Sequence, residues 1–509
     1  MLSCISSFGL MGVEGFLVRV EVNIAQGLPG FEMVGLPDAA VRESKERVRA
    51  AIKNSGYAYP SSRITVNLAP ADMKKEGPAF DLPVALGILS AVEGITTERL
   101  EHTAAIGELS LDGTVHSVRG ALPMAISARE KGVQELLLPR ENVEEVKCVE
   151  GVRLIPVENV AQAVDHLSGR ADIQPIRTVS YQTMMSERRF PVDFSDVKGQ
   201  SSAKRALEIA AAGGHNVLLI GPPGSGKTML ARCIPTILPD MSFEEALEVT
   251  RIHSVAGSVP ESGLFTERPF RSPHHTASQV SLVGGGVNAR PGEISKAHQG
   301  VLFLDELPEY KRDVLESLRQ PMEDGQVCVT RVNAQAVYPS RFMLVCSMNP
   351  CPCGHYGSRT QPCRCTPNEI RRYLGRISGP LLDRIDLHIE VESIPPERLS
   401  DMRPEESSQS VRARVQAARD VQRRRYQNSG VGCNAQLTSR MLNEACKLSP
   451  AAKALLKQAS ERMGLSNRAY TRVIKVARTI ADLAGEADIQ AGHVAEAVQY
   501  RALDRKYWG

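Results

Sequence analysis

The pattern of hydrophobic and polar positions divides the chain into three parts. Up to residue 170, short β-patterned runs such as 16–22, 63–68 and 135–139 are interspersed with helical runs. Between residues 194 and 394, apolar runs bounded by polar turns predict buried strands alternating with helices. After residue 407 the pattern is helical throughout. The sequence therefore predicts an α/β protein with an all-α C-terminal domain.

Breaks in this pattern give the domain boundaries. We predict an α/β domain over residues 1–170, a second α/β domain over 194–395 and a helical domain over 396–509. Residues 171–193 are polar and contain Pro175 and Pro191, so they are predicted to be a linker. A chain of 509 residues is long enough for each of these domains to have its own core.

Composition indicates a cellular location but does not identify a binding partner. The net charge is only +3, so composition by itself indicates neither a nucleic-acid nor a membrane partner. No run reaches the ~18 uncharged apolar residues of a membrane span, so we expect no membrane association. Eleven cysteines are scattered through a chain whose start lacks a signal-peptide pattern, which favours the reducing cytoplasm.

A phosphate-binding loop follows the apolar run 216–220 and precedes a helical run. Backbone N–H groups of such a loop surround nucleotide phosphates, and the following helix N-terminus faces the anion. The loop fits the pattern G-x-x-x-x-G-K-[ST] and consists of Gly221, Pro222, Pro223, Gly224, Ser225, Gly226, Lys227 and Thr228. The sequence therefore predicts binding and hydrolysis of a nucleoside triphosphate, with ATP and Mg²⁺ as cofactors.

Two acidic residues follow the next buried strand pattern, 301–304. We expect Asp305 to hold Mg²⁺ together with the hydroxyl of Thr228, and Glu306 to orient or deprotonate the attacking water. Lys227 is expected to reach the β- and γ-phosphates. Both motifs, in this order and in this setting, are typical of a nucleotide hydrolase.

Other residues are expected around the nucleotide. Asn349 ends the apolar run 342–348, where ring ATPases place an asparagine beside the γ-phosphate; the alternative is a turn residue before Pro350. Gly199 and Gln200 stand about twenty residues before the phosphate loop, where such proteins contact adenine. These three residues are therefore predicted to belong to the nucleotide site.

Phosphoryl transfer also needs positive charge on the γ-phosphate. Arg384 lies between apolar flanks at a predicted domain edge, from which it could reach a neighbouring subunit. Arg468, or Arg472 in its place, begins a helix of the C-terminal domain and could supply a second cation. The alternative is that they are ordinary surface arginines.

Four cysteines lie within fifteen residues directly after Asn349. The pairs Cys351/Cys353 and Cys363/Cys365 could together form a tetrahedral Zn²⁺ site, although the spacing is C-x-C rather than the commoner C-x₂-C. His355 offers a substitute ligand. Reduced, unliganded or redox-active thiols are the alternative.

Longer motifs resemble a known family. The segments 268–278, 282–286 and 291–294, which lead into the strand before Asp305, are similar to magnesium-chelatase-like AAA+ ATPases, and the whole chain resembles their YifB/ComM branch. The resemblance implies an AAA+ module of the helix-2-insert class that works as a hexameric ring. It also implies that Arg384 acts in trans, that Arg468 is the second sensor, and that the motor drives branch migration of DNA during natural transformation.

The N-terminal domain resembles the Lon-protease fold, which is S5 domain 2-like. In Lon a serine follows Lys-Asp-Gly-Pro, and a lysine lies on a later helix. Here Ala79 occupies the serine position and Leu122 the lysine position. Because a Ser–Lys dyad needs both groups, we expect no proteolysis and instead a scaffold or DNA-docking domain.

A predicted hairpin over 326–340 is the expected DNA contact. In related rings such a hairpin projects into the pore, where a basic residue contacts the phosphate backbone, and Arg331 falls at that position. Its alternative is a solvated strand residue. Arg268, Arg271, His274 and His275 are expected either to join this pore or to organise the fold, and the arginines between 412 and 425 are expected to form a solvated helix face.

Two other functions remain open from sequence. One is a chelatase-type ATPase that remodels a protein partner during metal insertion, and the other is a regulatory ATPase without a DNA role. The Lon-like domain argues against the first, whereas the low net charge permits the second.

Overall fold

The computed structural model describes the chain except for residues 94, 187, 189, 287–288, 332–333, 358–360, 395–404, 428 and 509, and except for the side chains of residues 97, 330, 331, 334 and 335. The described residues form two compact units. The first consists of Met1–Arg188 and Phe243–Thr266, and the second of Arg189–Ser242 and Glu267–Gly509.

The first unit is built on a mixed sheet. Within the described part of this unit, seven strands pair in the order β3-β4-β2-β1-β5-β8-β9, and β6 and β7 form a separate small ribbon. Pairing is antiparallel in β1–β2 and β2–β4 and parallel in the other pairs of the large sheet. The strands are β1 Leu2–Met11, β2 Glu14–Ala25, β3 Gly30–Val34, β4 Arg63–Ala69, β5 Thr103–Ala105, β6 Glu108–Leu109, β7 Val115–His116, β8 Glu135–Pro139 and β9 Arg153–Val157.

Helices pack on this sheet through apolar faces. Helix α2 is buried along most of its length, and its Asp81 is paired with Arg47 of α1 at 2.7 Å, which compensates the buried charge. Helix α1 begins after Asp38, whose carboxylate accepts from the N–H of Val41. The helices are α1 Ala39–Asn54, α2 Asp81–Glu93, α3 Thr97–Glu101, α4 Ala121–Glu130, α5 Val143–Val146, α6 Val160–Leu167 and α7 Tyr181–Ser186.

The second unit starts with α8 (Ser201–Gly213), β10 (Val217–Ile220) and α9 (Lys227–Ile237). The chain then contributes α10 (Phe243–Ala256) to the first unit, where it packs against α4. Residues 243–266 therefore group with the N-terminal unit, although the sequence boundaries include them in the nucleotide core. An amphipathic pattern defines a helix but not the surface it packs against.

A parallel sheet forms the centre of the second unit. The order of its described strands is β11-β14-β17-β10-β18, and every neighbouring pair is parallel. The carboxyl ends of β10, β14 and β17 therefore lie at one edge, where polar residues follow each strand. The remaining strands of this unit are β11 Phe270–Arg271, β12 Gly284–Gly285, β13 Arg290–Pro291, β14 Val301–Leu304, β15 Gln326–Arg331, β16 Ala334–Pro339, β17 Met343–Met348 and β18 Leu387–Glu390.

The C-terminal helices share one core with this sheet. Val415, Val473 and Ile480 belong to the same buried cluster as Val217 and Val345 of the sheet. The helices of this unit after α10 are α11 Gln279–Val283, α12 Glu293–Lys296, α13 Arg312–Glu316, α14 Arg319–Asp324, α15 Pro367–Leu374, α16 Gly379–Leu382, α17 Ser408–Arg425, α18 Ser439–Ala445, α19 Pro450–Met463, α20 Asn467–Leu483, α21 Ala491–Gln499 and α22 Ala502–Trp508.

These elements confirm the predicted fold class, a mixed α/β chain with a parallel-sheet core and a helical C-terminal part. Among the described helices, none has both the length and the apolar content that a membrane crossing needs.

Candidate functional site

The phosphate loop lies between β10 and α9, so the helix N-terminus faces the space above the loop. A Cβ on Gly221 would lie 2.2 Å from the carbonyl oxygen of Val391, so the loop can leave the sheet here only with glycine. The loop also contacts the end of the neighbouring strand β17, because the N–H of Gly221 donates to the carbonyl of Met348 at 3.2 Å. This geometry leaves the N–H groups at the start of α9 available to an anion.

The side chain of Lys227 points into this loop. Its ammonium donates to the carbonyl oxygens of Gly221 and Pro222, each at 2.8 Å, and to Oδ1 of Asn349 at 3.2 Å. Burial lowers the pKa of Lys227, while Asp305 and Glu306 oppose that shift. Lys227 and Asn349, predicted separately from sequence, therefore lie in contact.

Asp305 is the polar centre of the site. Its Oδ2 accepts from the hydroxyl of Thr228 at 3.0 Å, its Oδ1 accepts from the N–H of Glu306 at 3.1 Å, and the hydroxyl of Ser347 donates to Oδ1. A hydroxyl and a carboxylate at this distance are suitable oxygen ligands for Mg²⁺. The sequence did not single out Ser347, although it lies on β17 just before Asn349.

Glu306 has a left-handed backbone conformation, with φ of 54°, directly after β14. Its Oε2 is 3.4 Å from Nδ1 of His275, whose ring lies against that of His274, tilted by 34° with 4.1 Å between centroids. The hydroxyl of Tyr310 donates to the carbonyl of Pro273 at 2.6 Å and so fixes the histidine segment. Of the two sequence expectations for His275, these contacts favour organisation of the fold.

The preceding arginines also organise the fold. Arg268 donates to the carbonyls of Pro239 and Gln299, each at 2.7 Å. Arg271 pairs with Glu293 at 2.6 Å. Arg268 therefore joins two loops, and Arg271 joins β11 to α12, within the second unit.

Gln200 supports the phosphate loop from the side. Its amide is buried and donates to the carbonyl of Ser225 at 3.3 Å and to that of Glu392 at 2.7 Å. The N–H of Gly199 donates to Glu405 at 3.0 Å. These contacts place Gln200 against the loop, and contact with adenine remains a prediction.

Arg384 and Arg468 meet at one carboxylate. Arg384 is only 4% exposed, donates to the carbonyl of Pro380 at 2.7 Å and pairs with Glu323. The side chain of Arg468 is 58% exposed, with its guanidinium 3.8 Å from the same oxygen of Glu323. In the described part of the chain neither guanidinium contacts the phosphate loop.

Arg472, the alternative to Arg468, has a different position. It pairs with buried Asp386 and donates to the carbonyl of Arg384 at 3.0 Å. Burial alone would raise the pKa of Asp386, but Arg472 and His215 hold it well below the ordinary value. Arg472 is thus part of a buried ion pair between α20 and the start of β18.

The four cysteines form one cluster. The Sγ atoms of Cys351, Cys353, Cys363 and Cys365 all lie within 4.8 Å of one another. The separations between Sγ atoms are 3.4 Å for Cys351–Cys353, 3.7 Å for Cys351–Cys363 and 3.6 Å for Cys353–Cys363. These values are far from a disulfide bond of about 2.05 Å and close to the edge of about 3.8 Å of a tetrahedron with Zn–S bonds of about 2.3 Å.

Backbone N–H groups face the sulfur atoms of this cluster. Tyr356 donates to Sγ of Cys351 at 3.3 Å, and Cys365 donates to Sγ of Cys363 at 3.5 Å. Hydrogen bonds from the backbone of Arg364 and His355 lower the pKa of Cys353 to about 6, whereas burial raises the pKa of Cys351 to about 12. The donor set therefore fits a thiolate-bound metal, and His355 acts here through its backbone.

The hairpin predicted over 326–340 is formed by β15 and β16, which pair antiparallel from Gln326↔Pro339 to Arg331↔Ala334. Tyr338 anchors its base, because the hydroxyl donates to the carbonyl of Ala289 at 3.0 Å. Arg331 occupies the last paired position beside the turn, and its side chain lies outside the described part of the structure.

Two arginines of α17 do not belong to the expected solvated face. Arg419 donates to the carbonyls of Ala211 and Ala212 at the end of α8, at 2.9 and 3.1 Å. Arg425 pairs with buried Asp482. These side chains attach α17 to the unit, so the solvated-face expectation was wrong for them; a helical pattern gives no partner for a charged residue.

In the first unit, Ala79 lies in a short 3₁₀ turn and Leu122 in α4, and both side chains are buried in apolar surroundings. These are the two positions at which the resemblance to Lon predicts the serine and the lysine of the catalytic pair.

Three protein-family models match successive parts of the chain. The model described as "Magnesium chelatase, subunit ChlI" matches residues 193–399, "Subunit ChlI of Mg-chelatase" matches residues 20–142, and "Magnesium chelatase, subunit ChlI C-terminal" matches residues 405–501. The first model covers the phosphate loop, the acidic pair and the cysteine cluster.

Curated relatives cover nearly the whole chain. It is 46% identical to YifB of Escherichia coli (strain K12) over 99% of this chain and 98% of the relative. It is 44% identical to the competence protein ComM of Haemophilus influenzae (strain ATCC 51907 / DSM 11121 / KW20 / Rd) over the same shares. Lon protease 2 of Bacillus subtilis (strain 168) is 25% identical over 30% of each chain. The sequence, the site and these relatives agree: the chain belongs to the YifB/ComM family of magnesium-chelatase-like AAA+ ATPases.

Proposed function

We propose that this ATPase is a motor that moves DNA, most simply a hexameric branch-migration helicase that supports recombination or natural transformation. The observation that carries its ATPase chemistry is the convergence of Lys227, Thr228, Asp305 and Asn349 at one edge of the parallel sheet. Lys227 would bind the β- and γ-phosphates, Thr228 and Asp305 would hold Mg²⁺, and Asn349 would orient the γ-phosphate.

Glu306 is proposed to activate the water. It follows Asp305 directly and is tethered through His275, so its carboxylate can remain close to the site without taking the place of the metal ligand. Gln200 would hold the loop in shape through the carbonyl of Ser225, and Gly199 beside it would face the base.

In the proposed ring, a neighbouring subunit supplies the arginine that reaches the γ-phosphate. Arg384 has no contact with its own phosphate loop in the described residues, and we propose that it acts on the nucleotide of a neighbouring subunit, with Arg468 as the second sensor. Both would then leave Glu323 when a phosphate is presented. This exchange would make hydrolysis dependent on assembly.

The hairpin is the proposed DNA contact. Arg331 lies beside its turn, where a cation can reach a phosphate backbone without reading bases. The Haemophilus relative is named a competence protein, which supports a role in natural transformation. We place the reaction in the cytoplasm, where the clustered thiols remain reduced.

Zn²⁺ is the proposed structural cofactor of the four clustered cysteines. The fit of their Sγ separations to a tetrahedron supports this assignment. Metal analysis of the purified protein should give close to one equivalent of zinc per chain; less than about a tenth of an equivalent would exclude it.

The deciding experiment measures ATP hydrolysis with and without single-stranded and forked DNA, together with strand displacement. Stimulation and unwinding are expected. Arg331→Ala should weaken DNA binding and flatten its salt dependence while basal hydrolysis survives. Arg424→Ala is the matched control, because this exposed arginine contacts a carbonyl of its own helix.

A second function is favoured by the descriptions of the matching family models, which are all of a magnesium-chelatase subunit. In this case the ring would remodel a protein partner, and neither DNA stimulation nor unwinding would be observed.

A further inference from the structure

The cysteine cluster and the phosphate loop are in direct contact. Gly354, between the two cysteine pairs, has φ of 83°, and a Cβ there would lie 2.4 Å from Cδ and 2.8 Å from Cγ of Pro223. The backbone of the cysteine loop is therefore packed on a residue of the phosphate loop. Only glycine permits both this approach and this conformation.

The same loop is joined to the γ-phosphate side of the site. Asn349 is separated from Cys351 by a single residue, Pro350, and Oδ1 of Asn349 accepts from Lys227 at 3.2 Å. Cys351 itself is fully buried. A change in the position of Cys351 is therefore transmitted over two residues to the asparagine and the lysine.

We propose that metal binding at the four cysteines and nucleotide binding at the phosphate loop are thermodynamically coupled. With Zn²⁺ bound, the cysteine loop supports Pro223 and holds Asn349 in place. Without the metal, the four sulfur atoms no longer share a bound ion. The loop then loses the constraint that keeps Gly354 against Pro223. Since coupling is reciprocal, bound nucleotide must also retain the metal more tightly. This inference rests on the proposed nucleotide site.

The two affinities give the first test. A fluorescent ATP analogue should bind the zinc-loaded protein about tenfold more tightly than the zinc-depleted protein, a typical size for such coupling, and added Zn²⁺ should restore the affinity. The release of zinc to a chelator should be slower with the analogue present. In Lys227→Ala, which cannot bind the analogue, the nucleotide should not change the release.

A pair of glycine variants gives the second test. Gly354→Ala keeps all four cysteines but pushes the loop away from Pro223, so nucleotide affinity should fall about tenfold while zinc content stays near one equivalent. Gly357→Ala is the matched control: its φ of 77° imposes similar strain, but its Cβ would meet only the side chain of Lys506, at 3.8 Å. It should bind the analogue like the unmodified protein.

The outcomes separate the two proposals. Equal nucleotide affinity with and without zinc, or equal effects of Gly354→Ala and Gly357→Ala, would overturn the coupling while leaving the ATPase assignment intact. If the zinc-loaded protein binds no nucleotide at all, the proposed function itself fails.

Discussion

Nδ1 of His275 lies 3.4 Å from Oε2 of Glu306, so the segment before α11 reaches the carboxylate proposed to activate water. We expect His275→Ala to lower kcat about tenfold with little change in ATP affinity, because the contact positions the proposed base; a tenfold loss corresponds to about 1.4 kcal/mol of transition-state stabilisation. Steady-state hydrolysis and binding of a fluorescent nucleotide measure the two effects separately.

His275→Asn is the conservative partner of that variant, since its amide can take the place of Nδ1. It should recover most of the lost kcat. If both variants behave alike, or if nucleotide affinity falls as much as kcat, His275 only supports the fold.

Lys227→Ala and Glu306→Gln should impair different steps: the first should abolish nucleotide binding, and the second should slow hydrolysis. Lys227 contacts the phosphate loop, so its loss should remove nucleotide binding and turnover together. Glu306→Gln should bind ATP normally and slow its hydrolysis by about 10²–10⁴-fold, because only the proton acceptor is lost. Equilibrium binding and single-turnover hydrolysis distinguish these results; weak ATP binding by Glu306→Gln would contradict its assignment.

Arg384→Ala should reduce turnover by about 10³-fold or more while ATP still binds, as expected for a cation that acts only in the transition state. Mixing this variant with Lys227→Ala should recover activity. A subunit with an intact phosphate loop would then meet an intact arginine from its neighbour. Mixed rings without any recovery would remove the support for action in trans.

Arg472→Ala should destabilise the second unit by about 3–5 kcal/mol at pH 7, because it leaves Asp386 buried without its counter-charge. Urea unfolding followed by the fluorescence of Trp508, the single tryptophan of the chain, measures this change. Arg468→Ala, one turn earlier on α20 and exposed, should leave the midpoint unchanged.

The same pair predicts a pH dependence. The folded pKa of Asp386 is depressed, so its stabilising contribution is present above the unfolded value of about 4 and is lost as the pH falls below it. The difference in unfolding free energy between the unmodified protein and Arg472→Ala should therefore narrow as the pH falls, because Asp386, buried without the arginine, takes up its proton at a higher pH in the variant. A difference in unfolding free energy that does not change with pH would show that the Arg472–Asp386 ion pair is not the source of the stabilisation.

Much of the nucleotide site could be predicted from sequence because its residues follow strand ends. Lys227, Asp305 and Asn349 come after three apolar runs, and parallel strands bring their carboxyl ends to one edge. Ser347 lies inside β17, so the signal that could have found it is a single polar residue within an apolar run. The contact of His275 with Glu306 could not be predicted, because the residues of a loop show no periodic pattern of hydrophobic positions.

The sequence by itself determined the strands and helices, the phosphate loop with its acidic pair, and four cysteines close enough in the chain to share a metal. These are local properties that depend on residue type and spacing. Only the tertiary structure decided that residues 243–266 pack with the first unit, that Arg384 and Arg468 share Glu323, and that Gly354 rests on Pro223. Such contacts join residues distant in the chain, and their partners are set by packing rather than by periodicity.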